Sequence, residues 1–282
     1  MKIAISVETA SDLSKELLNK YDIKLIPFTI TLGDTTGYDG EITTDQIITF
    51  VNATKKLPKT SAVNQAQFDE HFSALLKDYD AVIHFSLSSK LSCAYQNATM
   101  SAKGFDNVYV IDTQSLSTGI GLIAIYASKL ASQGLDPQTI YDKCIKRLPY
   151  VQASFELKRV DYLYKGGRCS VLAYLGANIL KIRPQIIVKQ GKMVSGKKYR
   201  GNFEKVVDKY CQDVLEQFDN PDLSLAFLTY TTASQEIIDK AYNYLKEAGF
   251  ENIYITRAGG TISSHCGEDC LGILYINDGK QE

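Results

Sequence analysis

Short apolar runs alternate with longer amphipathic stretches along this chain, and this alternation restricts the fold more than any other feature. In the first half the apolar runs lie at residues 2–7, 24–30, 81–85 and 108–112. The stretches between them carry the apolar spacing of helices. Strands that alternate with helices predict a parallel sheet with helices on both of its faces.

The spacing of the runs changes near Pro149, where a second group of strands begins. The strand-like runs here are residues 152–157, 186–188, 192–194, 224–229, 253–256 and 271–276, and the helical runs are residues 160–164, 170–180, 203–218 and 234–248. Gln190-Gly191 predicts the turn of a hairpin. We therefore predict a two-domain α/β protein, with a parallel-sheet sandwich at residues 1–150 and a mixed-sheet domain at residues 151–282.

Composition and charge exclude several classes of protein. A hydrophobic fraction of 45% and a charged fraction of 22% are typical of soluble globular proteins. A formal net charge of −1 offers no basic footprint for nucleic acid. No apolar stretch is long enough for stable membrane insertion. The N-terminal run reads as a strand and lacks the architecture of a signal peptide, so we expect a cytoplasmic protein with reduced cysteines.

Three short polar runs carry the chemistry, and each lies where an apolar run gives way to a turn or helix. They are residues 59–61 (KTS), residues 88–96 (SSKLSCAYQ) and residues 263–267 (SSHCG). Hydroxyls and free backbone N–H groups gather at such junctions and suit them to hold an anion. If the runs converge in the fold, they form a site for an oxygen-rich head group that needs no metal.

Two glycine-rich runs resemble nucleotide-binding motifs but fit them poorly. Residues 119–124 (GIGLIA) match a dinucleotide pattern, yet residues 113–118 separate them from the preceding strand, where the motif needs a tight turn. Close packing of small residues on the sheet explains this run better. Residues 191–198 approach a P-loop, but Lys198 stands where a magnesium-binding Ser or Thr is needed. We therefore predict no nucleotide cofactor.

Metal and hydrolase chemistry find weaker support. Residues 265–270 (HCGEDC) have no second cluster of ligands elsewhere in the chain, so we predict no metal. The chain has no G-x-S-x-G elbow. An esterase or thioesterase stays open as an alternative, with Ser92 as nucleophile and His265 as base. Glu8 or Asp112 would then orient the base. A binding module for another small carboxylate is the second alternative.

Six runs of the chain, in the same order, resemble those of the DegV family of bacterial lipid-binding proteins. The six runs are residues 7–13 (VETASDL), 60–64 (TSAVN), 88–96 (SSKLSCAYQ), 166–168 (GGR), 181–184 (KIRP) and 265–267 (HCG). The resemblance covers essentially the whole chain, and six runs in order are a strong signal of membership.

The resemblance implies a two-domain α/β protein that encloses one long-chain, palmitate-like fatty acid in an apolar tunnel between the domains. It implies no other cofactor and no catalytic residue. Hydroxyls at Thr60 and Ser92, with Ser61 and His265, would hold the carboxylate. It also implies that the protein presents this carboxylate to an ATP-dependent fatty acid kinase, which makes an acyl phosphate for phospholipid synthesis. The alternative for Thr60 and Ser92 is that both merely cap helices.

Other residues in or near these runs are candidates for pocket or partner contacts. They are Ser89, Cys93, Gly267, Arg168 and Arg200. We expect free N–H groups at a helix start after Ser89 to add donors for the carboxylate. Arg168 and Arg200, with Lys165, are the candidates for docking a kinase.

Several positions depart from the family runs near the expected head-group site. Cys93 replaces a glycine directly after Ser92 and fills space there. Glu268 and Asp269 stand where proline and glycine are usual. Two acids would repel a carboxylate if they pointed inward, so we expect both to face solvent. Lys90 adds a cation close to Ser92, which would partly offset them.

Overall fold

The computed structural model describes residues 1–169 and 183–279 of the chain. In chain order the strands are β1 (Ile3–Glu8), β2 (Ile23–Ile26), β3 (Thr29–Leu32), β4 (Thr35–Tyr38), β5 (Lys59–Ser61), β6 (Ala81–Ser86), β7 (Val108–Asp112), β8 (Val151–Leu157), β9 (Arg183–Lys189), β10 (Lys192–Tyr199), β11 (Ala226–Tyr230), β12 (Ile253–Arg257) and β13 (Cys270–Ile276). The α-helices are α1 (Lys15–Lys20), α2 (Thr44–Thr54), α3 (Gln65–Leu75), α4 (Ala94–Ala102), α5 (Thr118–Ser132), α6 (Pro137–Arg147), α7 (Asp161–Lys165), α8 (Phe203–Gln217), α9 (Gln235–Glu247) and α10 (Gly260–Cys266).

The first half of the chain is built on a parallel sheet with the strand order β2-β1-β6-β7. Every residue of the central strand β6 is buried, which a strand covered on both faces requires. Helix α5 packs against β1 and β6, and α4 packs against β6 and β7. The predicted parallel α/β architecture of this half is confirmed.

Helix α5 carries the glycine-rich run that resembles a dinucleotide motif, and the structure explains it by packing. Residues 118–125 are all buried against neighbouring elements. A Cβ atom added to Gly121 would lie 2.7 Å from the Leu13 side chain, and one added to Gly119 would collide with Ser115. Only glycine lets the helix approach this closely, so the packing interpretation is confirmed.

A small antiparallel sheet with the order β4-β3-β5 corrects one prediction. Residues 24–30 were expected to form a single strand, but Pro27 separates β2 from β3, because proline cannot donate to a ladder hydrogen bond. Strand β3 then leaves the parallel sheet and pairs with β5, where Ile30 lies opposite Thr60. The small sheet therefore brings the first polar run toward the middle of the molecule.

The second half is built on a mixed sheet with the order β10-β9-β8-β13-β11-β12. Only the β11–β12 pair among these neighbours is parallel. The predicted hairpin of β9 and β10 is confirmed, with Gln190 at φ +50° and Gly191 at φ +78° in its turn. The predicted mixed sheet is confirmed as well. The helix expected at residues 170–180 lies outside the described residues, as do the first two residues of the 181–184 run.

Helix α10 was not predicted, and side chains of the first half hold its N-terminus. The Asp39 carboxylate accepts hydrogen bonds from the backbone N–H groups of Gly260 and Thr261, at 2.7 and 2.9 Å. The Asp12 carboxylate accepts one from Gly259 N–H at 2.7 Å. Carboxyl oxygens at a helix N-terminus satisfy N–H groups that lack partners within the helix. These bonds join the two sheets around α10.

The change from one sheet to the other falls between α6 and β8, close to the predicted domain boundary at residues 150 and 151. The division into two domains itself stays a prediction. Among the described residues, no helix combines the length and the apolar character needed to cross a bilayer.

Candidate ligand-binding site

A cavity of ≈ 300 Å³ lies where the three sheets approach one another, and we call it the larger chamber. Its walls are largely apolar, with a few polar side chains, as in sites that bind small molecules. Its lining residues are Phe28, Thr60, Ser61, Ala62, Leu87, Leu91, Ser92, Cys93, Leu116, Arg168, Met193, Thr261, Ile262, His265 and Cys266. The three polar runs thus converge on one chamber.

Thr60 and His265 contact each other inside this chamber. Thr60 lies in β5 and His265 near the end of α10, and Thr60 Oγ1 is 2.9 Å from His265 Nε2. Burial, together with the nearby Arg168 guanidinium, lowers the pKa of His265 to about 4. The imidazole is therefore neutral at neutral pH, and one of its two nitrogens carries a proton.

The second imidazole nitrogen, His265 Nδ1, is buried and has no hydrogen-bond partner among the residues that the structure describes. It faces Gly166, where an added Cβ atom would lie 2.8 Å from Nδ1. The glycine therefore makes room for the ring, a role that the sequence did not predict. A proton on Nε2 avoids burying an unpartnered N–H at Nδ1 and donates to Thr60 instead. The Thr60 hydroxyl then keeps its own proton for another acceptor.

Ser92 lines the same chamber from the loop that precedes α4. Its Oγ accepts a hydrogen bond from Ala94 N–H at 3.1 Å, which leaves the hydroxyl proton free to donate. The expected helix start directly after Ser89 is wrong, because α4 begins at Ala94. The helix-capping alternative is wrong for Thr60, which lies in a strand. Ser92 makes a local turn bond, and α4 has no side-chain cap.

The remaining predicted residues divide between the chamber and other places. Ser61, Cys93 and Arg168 line the chamber, whereas Ser89, Gly267 and Arg200 are not among its lining residues. Ser89 N–H instead donates to Asp112, and Gly267 lies against the Tyr162 ring. Arg200 lines a separate surface depression together with four lysines. These are Lys197, Lys198, Lys205 and Lys209.

Arg168 places a cation beside the chamber. Its Nη1 donates to the Gly166 carbonyl at 2.6 Å, and its Nε lies 3.4 Å from the Leu91 carbonyl. These backbone contacts orient the guanidinium without an acidic partner. The side chain as a whole is exposed, so the positive charge is shared between the chamber and solvent.

The two carboxylates considered for a catalytic triad contact other groups. Glu8 accepts hydrogen bonds from Ser86 Oγ at 2.6 Å and Leu87 N–H at 2.7 Å, and it also contacts His84 Nε2 at 3.2 Å. Asp112 accepts from the backbone N–H groups of two residues in the adjoining loops, at 3.1 and 3.0 Å. Neither orients His265, so the arrangement that a serine esterase needs is not assembled here.

Glu268 and Asp269, the acids expected to face solvent, turn away from the chamber. Lys158 Nζ lies 2.7 Å from the Asp269 carboxylate and 3.9 Å from that of Glu268. Thr232 also donates to Asp269 at 3.1 Å. Neither acid lines the chamber. Across residues 1–169 and 183–279, no three His, Cys, Asp or Glu side chains gather as metal ligands.

A smaller chamber of ≈ 30 Å³ adjoins the larger one. The two share the lining residues Leu116, Ile262 and Cys266. Beyond these the smaller chamber runs over the face of the mixed sheet. Its other lining residues are Ser117, Ser154, Phe155, Thr229, Tyr230, Thr231, Ala258, Cys270, Gly272 and Leu274. The two chambers are therefore neighbours separated by these three shared side chains.

Comparison with known proteins accounts for this arrangement. The model of the family described as "Uncharacterised protein, DegV family" matches residues 2–278. The chain belongs to the DegV family. A curated relative from Thermotoga maritima, a fatty acid-binding protein, is 28% identical over 291 residues, which cover 96% of each chain. Another DegV domain-containing protein, from Caldanaerobacter subterraneus, is 26% identical, with 97% of this chain and 98% of the relative covered.

Solved DegV structures have the same fold. A fatty-acid-binding DegV family protein from Thermus thermophilus superposes with a TM-score of 0.91 at 22% identity, over 98% of this chain and 100% of its own. A DegV lipid-binding protein from Thermotoga maritima gives 0.86 at 27% identity, with both chains fully covered. A fatty-acid-binding DegV family protein from Streptococcus agalactiae gives 0.86 at 25%, also with full coverage.

The geometry now explains why the DegV runs occur together in one sequence. Thr60, Ser92 and His265 come from three of the runs and line one chamber. Gly166, from a fourth run, makes room for the imidazole. Asp12, from the first run, binds the segment that precedes α10. In this DegV chain these five runs therefore supply either the chamber wall or the contacts that hold it in place.

Proposed function

We propose that this chain binds a long-chain fatty acid of the palmitate type, with its carboxylate and most of its tail in the larger chamber and the end of the tail directed toward the smaller one. Thr60, Ser61, Ser92 and His265 would surround the carboxylate. The observation that carries the proposal is the Thr60–His265 hydrogen bond of 2.9 Å within a largely apolar chamber. Relatives of the DegV family are described as fatty-acid-binding proteins, which supports the same ligand.

The polar groups match what a carboxylate needs. A buried carboxylate is costly unless hydrogen bonds replace its water. His265 Nε2–H, by donating to Thr60, leaves the Thr60 hydroxyl free to donate to one carboxylate oxygen. The Ser92 hydroxyl, whose Oγ already accepts from Ala94 N–H, donates to the other. Arg168 adds a positive charge that favours the ionised form of the ligand.

The apolar walls match what the tail needs. Burial of about fourteen methylene groups contributes on the order of 11 kcal/mol before the costs of association. The tail therefore provides the affinity, and the hydroxyls fix the position of the head group. Two uncharged donors hold a carboxylate less tightly than a bidentate arginine would, which suits a ligand that must react further.

We further propose that the protein presents the carboxylate to an ATP-dependent fatty acid kinase, which would locate it in the cytoplasm with the nucleotide. Arg168 supports this, because its exposed guanidinium reaches the chamber that holds the head group. Arg200 supports it through its basic surface depression, and Lys165 is exposed close to the chamber. The carrier would then supply the substrate and no catalytic residue. Charge reversal at Arg200, which lies outside the chamber, should weaken kinase-dependent phosphorylation of the bound acid and leave its binding intact. Charge reversal at Arg168, which lines the chamber, should weaken both.

The first test is to denature the purified protein, extract it with organic solvent and analyse the extract by mass spectrometry. We expect one fatty acid at close to one mole per mole of protein. Ser92→Ala should retain less of this lipid, whereas Ser132→Ala, on an exposed helix end, should retain the wild-type amount. An extract without lipid, together with no binding of added palmitate, would refute the fatty acid and leave another small carboxylate as the ligand.

A further inference from the structure

The smaller chamber contains two cysteines that the proposed carboxylate site does not use. Cys266 is the last residue of α10, and Cys270 is the first residue of β13. Both line the smaller chamber, and Cys266 also lines the larger one. The Cys266 side chain lies close enough to the Cys270 thiol to raise the pKa of that thiol. The pair therefore stands at the junction that an acyl chain crosses between the chambers.

Residues 267–269 connect the two cysteines, and two side chains bind the last of these residues. Gly267 takes a φ of +72° and Asp269 a φ of +51°. Asp269 is bound by Lys158 and Thr232, at 2.7 and 3.1 Å. The turn joins two cysteines that line the same chamber, and a disulfide between neighbouring elements needs side chains that face each other.

We propose that Cys266 and Cys270 form an oxidation site whose disulfide lowers fatty-acid affinity, and that a bound acyl chain protects the pair from oxidation. This inference rests on the proposed function, since the protecting ligand is the fatty acid. The oxidant is a peroxide. One thiol attacks it to give a sulfenic acid and water, and the second thiol displaces a second water to close the S–S bond. Hydrogen peroxide and two thiols thus give one disulfide and two waters.

The access route explains the protection. Cys266 is 4% exposed and Cys270 is 6% exposed, so solvent barely reaches either side chain from outside. Because both line the smaller chamber, a small oxidant reaches them through the cavity. An acyl chain that fills the cavity removes this route. The loaded protein should therefore react more slowly than the empty one.

The effect on binding follows from the position of Cys266, which is next to His265. An S–S bond holds the two sulfur atoms about 2.05 Å apart, which is closer than two unbonded thiols can lie. Helix α10 cannot move as a unit to accommodate this, because Asp12 and Asp39 hold its N-terminal end. The displacement then falls on the C-terminal end of α10. His265 moves relative to Thr60, and the carboxylate loses a donor.

The thiols should react slowly at neutral pH. The neighbouring Cys266 side chain, together with burial, raises the pKa of the Cys270 thiol well above its ordinary value. Thiolate rather than thiol is the attacking species, so the rate of oxidation should increase as the pH rises. Incubation with peroxide at a mildly alkaline pH is accordingly the appropriate condition for the experiment.

The experiment uses the full chain with Cys93→Ser, which removes the exposed thiol of the larger chamber. Reduced, lipid-free protein is first titrated with palmitate, and this step tests the proposed function separately. Empty and palmitate-loaded samples are then treated with hydrogen peroxide and digested with trypsin. The tryptic peptide of residues 258–280 contains Cys266 and Cys270 as its only cysteines, so a disulfide makes it lighter by two hydrogens.

We expect the lighter peptide in the empty protein, much less of it in the loaded protein, and roughly tenfold weaker palmitate binding after oxidation. Dithiothreitol should restore the affinity. Cys93→Ser combined with Cys270→Ala should keep its affinity through the same treatment. An unchanged peptide mass in the empty protein, equal oxidation in both samples, or a disulfide without loss of affinity would each overturn the inference.

Discussion

Thr60 Oγ1 and His265 Nε2 lie 2.9 Å apart, although 205 residues separate them in the chain. One belongs to a strand of the small antiparallel sheet and the other to a helix that connects two strands of the mixed sheet. The bond orients a hydroxyl toward the larger chamber, and it forms only when both sheets are assembled. Head-group binding should therefore be sensitive to changes on either side of this contact.

Thr60→Val removes the hydroxyl and keeps the shape of the side chain. The carboxylate then loses one donor, and His265 Nε2 loses its partner. We expect palmitate binding to weaken by about tenfold or more, measured by titration calorimetry on lipid-free protein. Thr36→Val is the matched control, because Thr36 is exposed in the same small sheet. Among the described residues, its hydroxyl forms a hydrogen bond only with that of Thr31. Equal affinity in the two variants would contradict the assigned donor.

Gly166→Ala tests the space that the imidazole occupies. The new Cβ atom would lie 2.8 Å from His265 Nδ1 and 2.9 Å from the Tyr162 carbonyl, so the ring or the turn must shift. We expect weaker palmitate binding and a loss of about 1–3 kcal/mol in the free energy of unfolding. Gly104→Ala provides the comparison, since its nearest contact there is an ordinary 3.4 Å. Wild-type binding by Gly166→Ala would show that the ring position is unimportant.

Stability should depend on pH through His265. Burial lowers the pKa of its imidazole to about 4, whereas in the unfolded chain the pKa is close to 6.5. Between these values the unfolded chain binds a proton that the folded protein does not. The contribution of the neutral His265 imidazole to the free energy of unfolding is therefore fully present above pH 6.5 and is lost as the pH falls toward 4. His71, whose pKa is lowered to about 3, acts in the same direction.

His265→Gln should remove part of this dependence. Both proteins should lose stability when the pH falls from 7 to 5. We expect the variant's loss in the free energy of unfolding to be smaller than that of the wild type by roughly 1–2 kcal/mol. Urea titrations at the two pH values measure the difference. Thr60→Val keeps the imidazole buried and should keep the wild-type dependence. If His265→Gln follows the wild-type curve, the imidazole is charged in the folded protein and the proposed proton arrangement fails.

Asp39→Ala tests the contact between the first half and α10. The substitution leaves the N–H groups of Gly260 and Thr261 buried without acceptors, so we expect a loss of about 2–4 kcal/mol in the free energy of unfolding. Palmitate affinity should fall as well, because α10 carries His265. Asp34→Asn, in the exposed turn between β3 and β4, should change neither quantity. A destabilised Asp39→Ala with normal affinity would separate α10 from head-group binding.

The strands of both main sheets could be predicted from local sequence because each is an apolar run with clear ends. The split at Pro27 was missed, since residues 24–30 stay apolar across the proline. Strands β4 and β5 were missed because they are short, and β4 is mostly exposed. Helix α10 was missed because its first residues, glycine and threonine, are poor helix formers, and its N-terminus depends on carboxylates distant in sequence.

The candidate site was predictable in part. Thr60, Ser92 and His265 stand in runs that resemble a family, and the structure brings all three to one chamber. Ser89 and Gly267 lie in the same runs but serve the surrounding backbone. No local pattern distinguishes a side chain that lines a cavity from its neighbour that faces the other way. The wall residues that tertiary packing supplies, such as Phe28 and Ile262, leave no such signal at all.

Asp12 and Asp39, both in the first half, accept hydrogen bonds from the backbone at the N-terminus of α10, the helix of the second half that carries His265. Exchange of halves between related proteins should therefore preserve binding only when the two halves match at these contacts. The sequence of a chimera with residues 1–150 from one relative and the remainder from another contains every ligand-contacting side chain. These side chains come together only if both parent proteins place the two aspartates opposite the same backbone N–H groups. Selection for a particular ligand must therefore act on both halves at once.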